Sequence, residues 1–283
     1  MQDDDNYNNQ ETGPVGKPSL FDEINNYLLL FYALTCFIIY FTLSGMLYIS
    51  GYITAILILP GIVAIVLPLV LLSSRISSSF SETYRLDNPQ PAVLGLVILA
   101  SVCITLPADA IAGFFEQFKA NDSDYISFLL AIKPKGFLSF LAVAFGIVIV
   151  APFSEELLFR GFIQRIMQRN MSAKLAVLLS GLLFGLAHFD LTLMPATALI
   201  GIFFGYLFVK TGNLFYPFSA HAAYNLISLL RLHFSSEADL KKESVYSPPW
   251  LWVAVSVGLL IYLVYLLENQ PEERSSGKED GTL

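Results

Sequence analysis

The stretch APFSEELLFR, from Ala151 to Arg160, places two adjacent glutamates and an arginine inside an otherwise apolar run. An ionisable side chain at bilayer depth costs about 2.5–3.5 kcal/mol on insertion scales, so such groups are rarely found there without partners. Successive residues of a helix are about 100° apart, so Glu155 and Glu156 cannot face the same cleft. Glu156 and Arg160, at an i,i+4 spacing, can pair, which leaves Glu155 free for chemistry. The alternative is a helix end, with the three charges in water at the lipid headgroups.

The composition of the chain indicates a membrane protein. Its 283 residues are 55% hydrophobic and only 14% charged, with a mean hydropathy of +0.63. A soluble domain typically carries about a quarter charged residues. We therefore predict an all-α, polytopic transmembrane helical bundle. No basic patch is present, so the sequence gives no indication of a nucleic-acid partner.

The apolar runs predict about eight membrane spans between two polar tails. Each run is close to the roughly 20 residues that a bilayer core requires. The predicted spans are Tyr27–Ser50, Tyr52–Leu72, Pro91–Gly113, Gly136–Asn170, Ala173–Phe189, Leu191–Lys210, Leu214–Leu232 and Trp250–Leu267. They divide the chain into a flexible tail (1–26), N-terminal spans (27–135), a central region with the glutamate pair (136–232), a loop with the last span (233–267) and a C-terminal tail (268–283). A short amphipathic piece is expected around Tyr125–Ile132.

Eight spans place both ends of the chain on one side of the membrane. The lysines and arginines of the predicted loops number nine on that side and six on the other. This bias favours cytoplasmic termini.

The polar residues of the central region, 136–232, are predicted to converge. Two antiparallel helices are predicted to meet at a short tip between Arg169 and Lys174. Glu155 precedes Arg169 by 14 residues, and His188 follows Lys174 by 14. At 1.5 Å per residue both side chains lie about 21 Å from the tip, so an acid and a histidine can meet. His221 and Asn225 share one helix face, as do Phe184 and His188. The alternative for each histidine alone is a packing role, with its ring bonded to a neighbouring carbonyl.

Three spaced patterns carry a resemblance to a known family. E155-E156-x-x-x-R160, F184-x-x-x-H188 and H221-x-x-x-N225 resemble the signature motifs of the CPBP (CAAX protease and bacteriocin-processing, also called Abi) intramembrane proteases. The resemblance covers about Gly136 to Leu232, and it implies that this central region is the catalytic region. It implies a membrane-embedded endopeptidase of the glutamic type, similar to the type II CAAX prenyl endopeptidase, in the cell membrane of a prokaryote.

The resemblance also implies roles for the motif residues. Glu155 would be the general base, His188 would help to position and activate the water, and His221 and Asn225 would donate to the oxyanion. Glu156 and Arg160 would hold the motif helix in place, and Phe184 would pack beneath His188 and orient it. No cofactor is expected. Zinc bound by Glu155, His188 and His221 is the alternative, although the sequence lacks the H-E-x-x-H pattern typical of zinc proteases.

The expected partners are membrane lipid and a membrane-associated or lipidated peptide. The longest predicted connection, Phe114–Lys135, has only 22 residues, so no soluble domain is available to capture a soluble substrate first. The alternatives from other classes are an immunity factor that retains the motifs but acts by binding, and a small-solute carrier. Buried acids and histidines also serve proton-coupled carriers, but the sequence lacks the inverted repeat common in such proteins.

Overall fold

The computed structural model describes residues 24–75, 79–118, 123–241 and 248–270. The regular structure in these ranges is helical, as predicted. The helices are α1 (Asn26–Ile49), α2 (Ile53–Arg75), α3 (Phe80–Tyr84), α4 (Pro91–Glu116), α5 (Ser123–Ile132), α6 (Phe137–Gln168), α7 (Ala173–Leu186), α8 (Met194–Thr211), α9 (Phe215–Phe234), α10 (Glu237–Lys241) and α11 (Trp250–Glu268). The predicted tails fall mainly on residues 1–23 and 271–283, which lie outside the described ranges.

The long helices form a polytopic membrane bundle. Among the described residues, six helices are long and apolar enough to cross a membrane: α1, α2, α4, α6, α8 and α11. The other two predicted spans are also helices, the shorter apolar α7 and the more polar α9. The outer faces of α1 and α11 expose large apolar side chains, such as Leu34, Ile38 and Ile261. Such faces are stable against lipid, so the chain is an integral, multi-pass membrane protein.

Several boundaries differ from those predicted from the apolar runs. The predicted loop Ser73–Gln90 contains α3, which begins with a capping box between Ser79 and Glu82. Helix α7 ends at Leu186 rather than Phe189. Helix α8 begins only at Met194, because Asp190 accepts hydrogen bonds from the backbone of the next turn. Apolar side chains continue through these turns, so hydropathy alone did not locate the ends.

Wide π-helical turns interrupt two of the spanning helices. One lies in α2 at Gly61–Val66, and two lie in α6, at Phe145–Val150 and Phe159–Gln164. Such turns are frequent at functional sites. Those in α6 flank the segment Ala151–Leu158, which carries the two glutamates.

Two clusters of buried apolar side chains form the core. The first joins α1, α2, α3, α6 and α7 around residues such as Leu69, Tyr84 and Phe162. The second joins α4, α8, α9 and α11 around residues such as Val97 and Phe204. The polar side chains of the catalytic region lie where these two clusters meet.

Candidate active site

Glu156, Arg160 and His221 form a buried polar centre between α6 and α9. The side chains of Glu156 and Arg160 have no exposed surface, and Arg160 Nη1 donates to Glu156 Oε1 at 2.8 Å. His221 Nδ1 lies 2.8 Å from the same oxygen. A carboxylate oxygen only accepts, so Nδ1 carries the hydrogen of this bond. The i,i+4 pair expected from the sequence is formed, and it also fixes the orientation of His221.

Arg160 ties this centre to α8. Its Nη2 donates to the carbonyl oxygen of Gly201 at 2.7 Å. One turn further along α6, Gln164 Nε2 donates to the carbonyl oxygen of Gly205 at 3.1 Å. Gly201 and Gly205 lie one turn apart on α8, and a Cβ built on Gly205 would lie 2.7 Å from Gln164 Oε1. The missing side chains therefore give the two donors access to the α8 backbone.

Aromatic rings surround the Arg160 guanidinium. Its Cζ lies 4.6 Å from the centre of the Phe184 ring, 5.6 Å from Phe204 and 5.8 Å from Phe159. Aromatic faces attract a cation, most strongly where water is excluded. Phe204 also stacks on the His221 ring, with centroids 4.9 Å apart and planes at 27°. The buried ion pair of Glu156 and Arg160 is thus surrounded by aromatic side chains.

Glu155 and Glu156 face different environments, as their spacing around the helix requires. The Glu155 side chain keeps 22% of its surface exposed, whereas Glu156 keeps none. Glu155 Oε2 lies 3.8 Å from His221 Nε2. Glu155 therefore lies at the edge of the buried centre, with part of its side chain accessible.

His188 lies in the turn that follows α7. Its Nδ1 is 2.8 Å from the carbonyl oxygen of Phe184, and the two rings lie 5.0 Å apart in an edge-to-face arrangement. A carbonyl oxygen only accepts, so Nδ1 donates and Nε2 of the neutral ring carries the lone pair. Phe184 thus orients His188 through its backbone as well as its ring. The next residue, Phe189, has φ 53°, a conformation that is strained for an aromatic residue.

Asn225 bonds to a backbone carbonyl of α6 that a proline leaves without a helical donor. Its Nδ2 donates to the carbonyl oxygen of Ile147 at 2.9 Å, within the π-helical turn Phe145–Val150. In that turn Ala151 N bonds to Gly146 O, so the next donor in the same register would be residue 152. Pro152 has no N–H. Asn225 supplies the hydrogen bond that the proline cannot.

A cleft of about 150 Å³ opens beside Glu155. Both Glu155 and His188 line it, so the structure brings together the acid and the histidine that the sequence predicted to meet. The remaining lining comes from α1, α2, α6 and α7: Phe37, Tyr40, Phe41, Ile65, Leu158, Phe159, Phe184 and Ala187. His221 and Asn225 are not part of this lining: His221 Nε2 lies 3.8 Å from Glu155 Oε2, and Asn225 bonds to Ile147 O.

Comparison with known proteins matches this region to a protein family. Residues 137–227 match the family model described as Type II CAAX prenyl endopeptidase Rce1-like, and all three spaced patterns lie within the match. Over these residues the chain is similar to that family.

A protein of Bacillus subtilis (strain 168) named "Putative membrane peptidase YdiL" is similar to the chain. The two are 30% identical over 155 residues, which is 51% of this chain and 59% of that protein. No solved structure matches the chain significantly.

The residues of the three spaced patterns do not form a metal-binding cluster in the described part of the chain. There, no three histidine, cysteine, aspartate or glutamate side chains are close enough to hold one ion. Glu155 and His188 share the cleft, while His221 Nδ1 is directed to Glu156. The zinc set considered from the sequence would therefore need these side chains to move.

The candidate site also includes residues that the sequence did not single out. The carbonyl oxygen of Gly201 and the ring of Phe204 complete the buried centre. Tyr40 lines the cleft from α1, 115 positions before Glu155 in the chain. No sequence signal marks these residues, since aromatic and small residues are ordinary in membrane helices.

Proposed function

We propose that this protein is a membrane-embedded endopeptidase that hydrolyses a peptide bond in a membrane-associated or lipidated peptide. The observation that carries the proposal is the cleft in which the partly exposed Glu155 carboxylate and the His188 ring lie together. The match of residues 137–227 to the Rce1-like family model and the name of the Bacillus subtilis relative support a peptidase. The chain spans 59% of that relative's length, so the activity is carried over for the matched region only.

The proposed reaction begins with a water molecule between Glu155 and His188. The Glu155 carboxylate accepts one proton of the water, and His188 Nε2 accepts a hydrogen bond from the other. The oxygen attacks the carbonyl carbon of the scissile bond, and negative charge develops on the carbonyl oxygen. Glu155 then gives its proton to the leaving nitrogen as the C–N bond breaks. The products are a carboxylate and an amine.

The buried centre keeps this arrangement rigid. Glu156 and Arg160 hold His221 through the shared oxygen Glu156 Oε1, and His221 Nε2 faces Glu155 at 3.8 Å. In the proposed mechanism Asn225, and His221 when both of its ring nitrogens carry hydrogen, stabilise the developing oxyanion. Asn225 has a second N–H beyond the one bonded to Ile147 O, so its structural bond does not exhaust its donors.

The chemistry proposed here uses no metal ion. Carboxylate and imidazole are both acceptable zinc ligands, and a zinc enzyme built on Glu155, His188 and His221 remains the competing form of the same activity. The division of these side chains between the cleft and the buried centre favours the glutamate route.

The apolar walls of the cleft support a substrate that approaches from the membrane. Helix α1 provides Phe37, Tyr40 and Phe41 to the cleft, while its opposite face is exposed and apolar. A peptide anchored in lipid reaches such a site without leaving the bilayer. We place the protein in the cell membrane of a prokaryote, as the family resemblance implies. The distribution of lysine and arginine in the loops favours cytoplasmic termini.

The test compares matched peptides with and without a lipid anchor, at equal bulk concentration, with purified protein in nanodiscs. We expect faster cleavage of the anchored peptide and no cleavage by the Glu155→Gln variant. Equal cleavage of both peptides would refute the membrane-delivered substrate. Wild-type activity of Glu155→Gln, or no cleavage by the wild type, would instead favour an immunity factor or carrier.

A further inference from the structure

The cleft contains one polar side chain that neither the motifs nor the matched region includes. Of its ten lining residues, seven are apolar and three carry polar groups: Tyr40, Glu155 and His188. Tyr40 belongs to α1, outside the residues 137–227 that match the family. Tyr40 therefore lines the cleft from a helix outside the matched region.

The Tyr40 hydroxyl has no partner within the described part of the chain. No side-chain or backbone group there hydrogen-bonds to it, although its ring packs edge-to-face on Phe41 with centroids 5.3 Å apart. A partly buried phenol usually has a partner. Tyr40 lines the cleft, so a bound substrate can supply that partner.

The donors and acceptors of the cleft are unequally supplied. Glu155 presents only acceptors when ionised, and His188 uses its Nδ1 hydrogen on Phe184 O, which leaves an acceptor at Nε2. These two groups suit the two hydrogens of a water molecule. The carbonyl oxygen of a peptide needs a donor instead. Among the side chains that line the cleft, the neutral donor is Tyr40.

We propose that the Tyr40 hydroxyl donates a hydrogen bond to the carbonyl oxygen of the scissile peptide bond, as a donor in addition to His221 and Asn225. This makes Tyr40 a further catalytic residue, and the inference rests on the proposed function. The substrate carbonyl then lies between α1 and the water held by Glu155 and His188. The hydrogen bond strengthens as charge develops on that oxygen, so it stabilises the transition state more than the bound substrate.

The test is the Tyr40→Phe variant, with Tyr32→Phe as the matched control on the same helix. Tyr32 donates its hydroxyl to Pro68 O at 2.6 Å, which is a structural bond. Loss of one oxyanion donor lowers kcat by about 100- to 1000-fold. We expect that fall for Tyr40→Phe, with KM within about threefold of the wild type. Tyr32→Phe should lower the unfolding temperature and keep kcat.

A second measurement separates catalysis from packing. A phosphinic peptide imitates the tetrahedral intermediate, and the uncleaved peptide imitates the ground state. In the Glu155→Gln background, Tyr40→Phe should weaken binding of the phosphinic peptide at least tenfold and leave binding of the uncleaved peptide unchanged. Equal weakening of both, or a change in KM alone, would show that Tyr40 is only a wall of the cleft.

The outcomes distinguish this inference from the proposed function. If Glu155→Gln is inactive and Tyr40→Phe is as active as the wild type, the Tyr40 assignment is wrong and the peptidase stands. If Glu155→Gln cleaves as well as the wild type, the proposed function fails, and the Tyr40 assignment fails with it.

Discussion

The two adjacent glutamates should respond in opposite ways to the same change. Glu155→Gln and Glu156→Gln each replace one carboxylate oxygen by an amide nitrogen with almost no change in volume. Glu155 is partly exposed in the cleft, whereas Glu156 is fully buried with Arg160 and His221. We expect the first substitution to remove activity and the second to remove stability.

The loss of activity in Glu155→Gln follows from the loss of a base. A positioned acid–base group contributes about 100- to 10,000-fold to a rate, which is a barrier change of about 2.7–5.4 kcal/mol at 1.36 kcal/mol per tenfold. Glu155 has no strong ion pair in the structure, since its contact with His221 Nε2 is 3.8 Å long. Stability should therefore stay near that of the wild type.

The loss of stability in Glu156→Gln follows from an unpaired buried charge. Removing one partner of a buried ion pair costs about 3–5 kcal/mol. An amide oxygen in place of Glu156 Oε1 can still accept from Arg160 and His221, and the aromatic rings around Arg160 remain. We therefore expect a loss near the lower value, about 3 kcal/mol.

Both effects can be measured on the same preparations. Peptide cleavage gives kcat and KM, and SDS-titrated unfolding in mixed micelles gives the free energy of unfolding. In a Cys103→Ser background a thiol-reactive dye reports unfolding through Cys36, because Cys36 is buried in the folded protein whereas Cys103 is partly exposed. The reasoning is refuted if Glu156→Gln unfolds like the wild type, or if Glu155→Gln keeps more than a tenth of the activity.

The remaining predictions concern packing, the proline on α6 and metal dependence. A Cβ at Gly181 would lie 2.6 Å from the backbone nitrogen of Ile202, whereas one at Gly258 would meet nothing within 4 Å. Gly181→Ala should thus cost about 1–3 kcal/mol of unfolding free energy and Gly258→Ala should cost nothing; equal effects would contradict the α7–α8 contact. Asn225→Ala should lose about 1–3 kcal/mol by leaving Ile147 O unpaired. Adding Pro152→Ala should restore that stability through a new N–H but leave the activity low; recovery of activity would remove the oxyanion role of Asn225. Treatment with a chelator should leave cleavage unchanged, and zinc at one ion per chain with activity restored on its return would establish the metal route instead.

Much of the membrane bundle could be predicted from hydropathy and length. The helices follow the eight apolar runs, because a chain in lipid must satisfy its backbone hydrogen bonds within each span. The ends of α7 and α8 could not be predicted in this way. Asp190 and the strained backbone of Phe189 set them, and both lie in a stretch that is otherwise apolar.

The candidate site was predicted in part because helix geometry relates residues that are close in sequence. The i,i+4 pairing of Glu156 with Arg160 and the shared face of Phe184 and His188 are local relations. The bond from His221 to Glu156 joins residues 65 positions apart, and Tyr40 reaches the cleft from another helix. Contacts of that kind depend on how helices pack, which one sequence does not reveal.

The π-helical turn Phe145–Val150 decides which of two chemically identical acids meets water. Such a turn holds one residue more than the α-helical turn it replaces, so each later side chain points about 100° away from its direction in a straight helix. If the turn straightened with no change of sequence, Ser154 and Glu155 would take the places of Glu155 and Glu156. The cleft would then present a hydroxyl, and Glu155 would pair with the buried histidine. The assignment of base and buried anion is therefore a property of helical phase rather than of residue type.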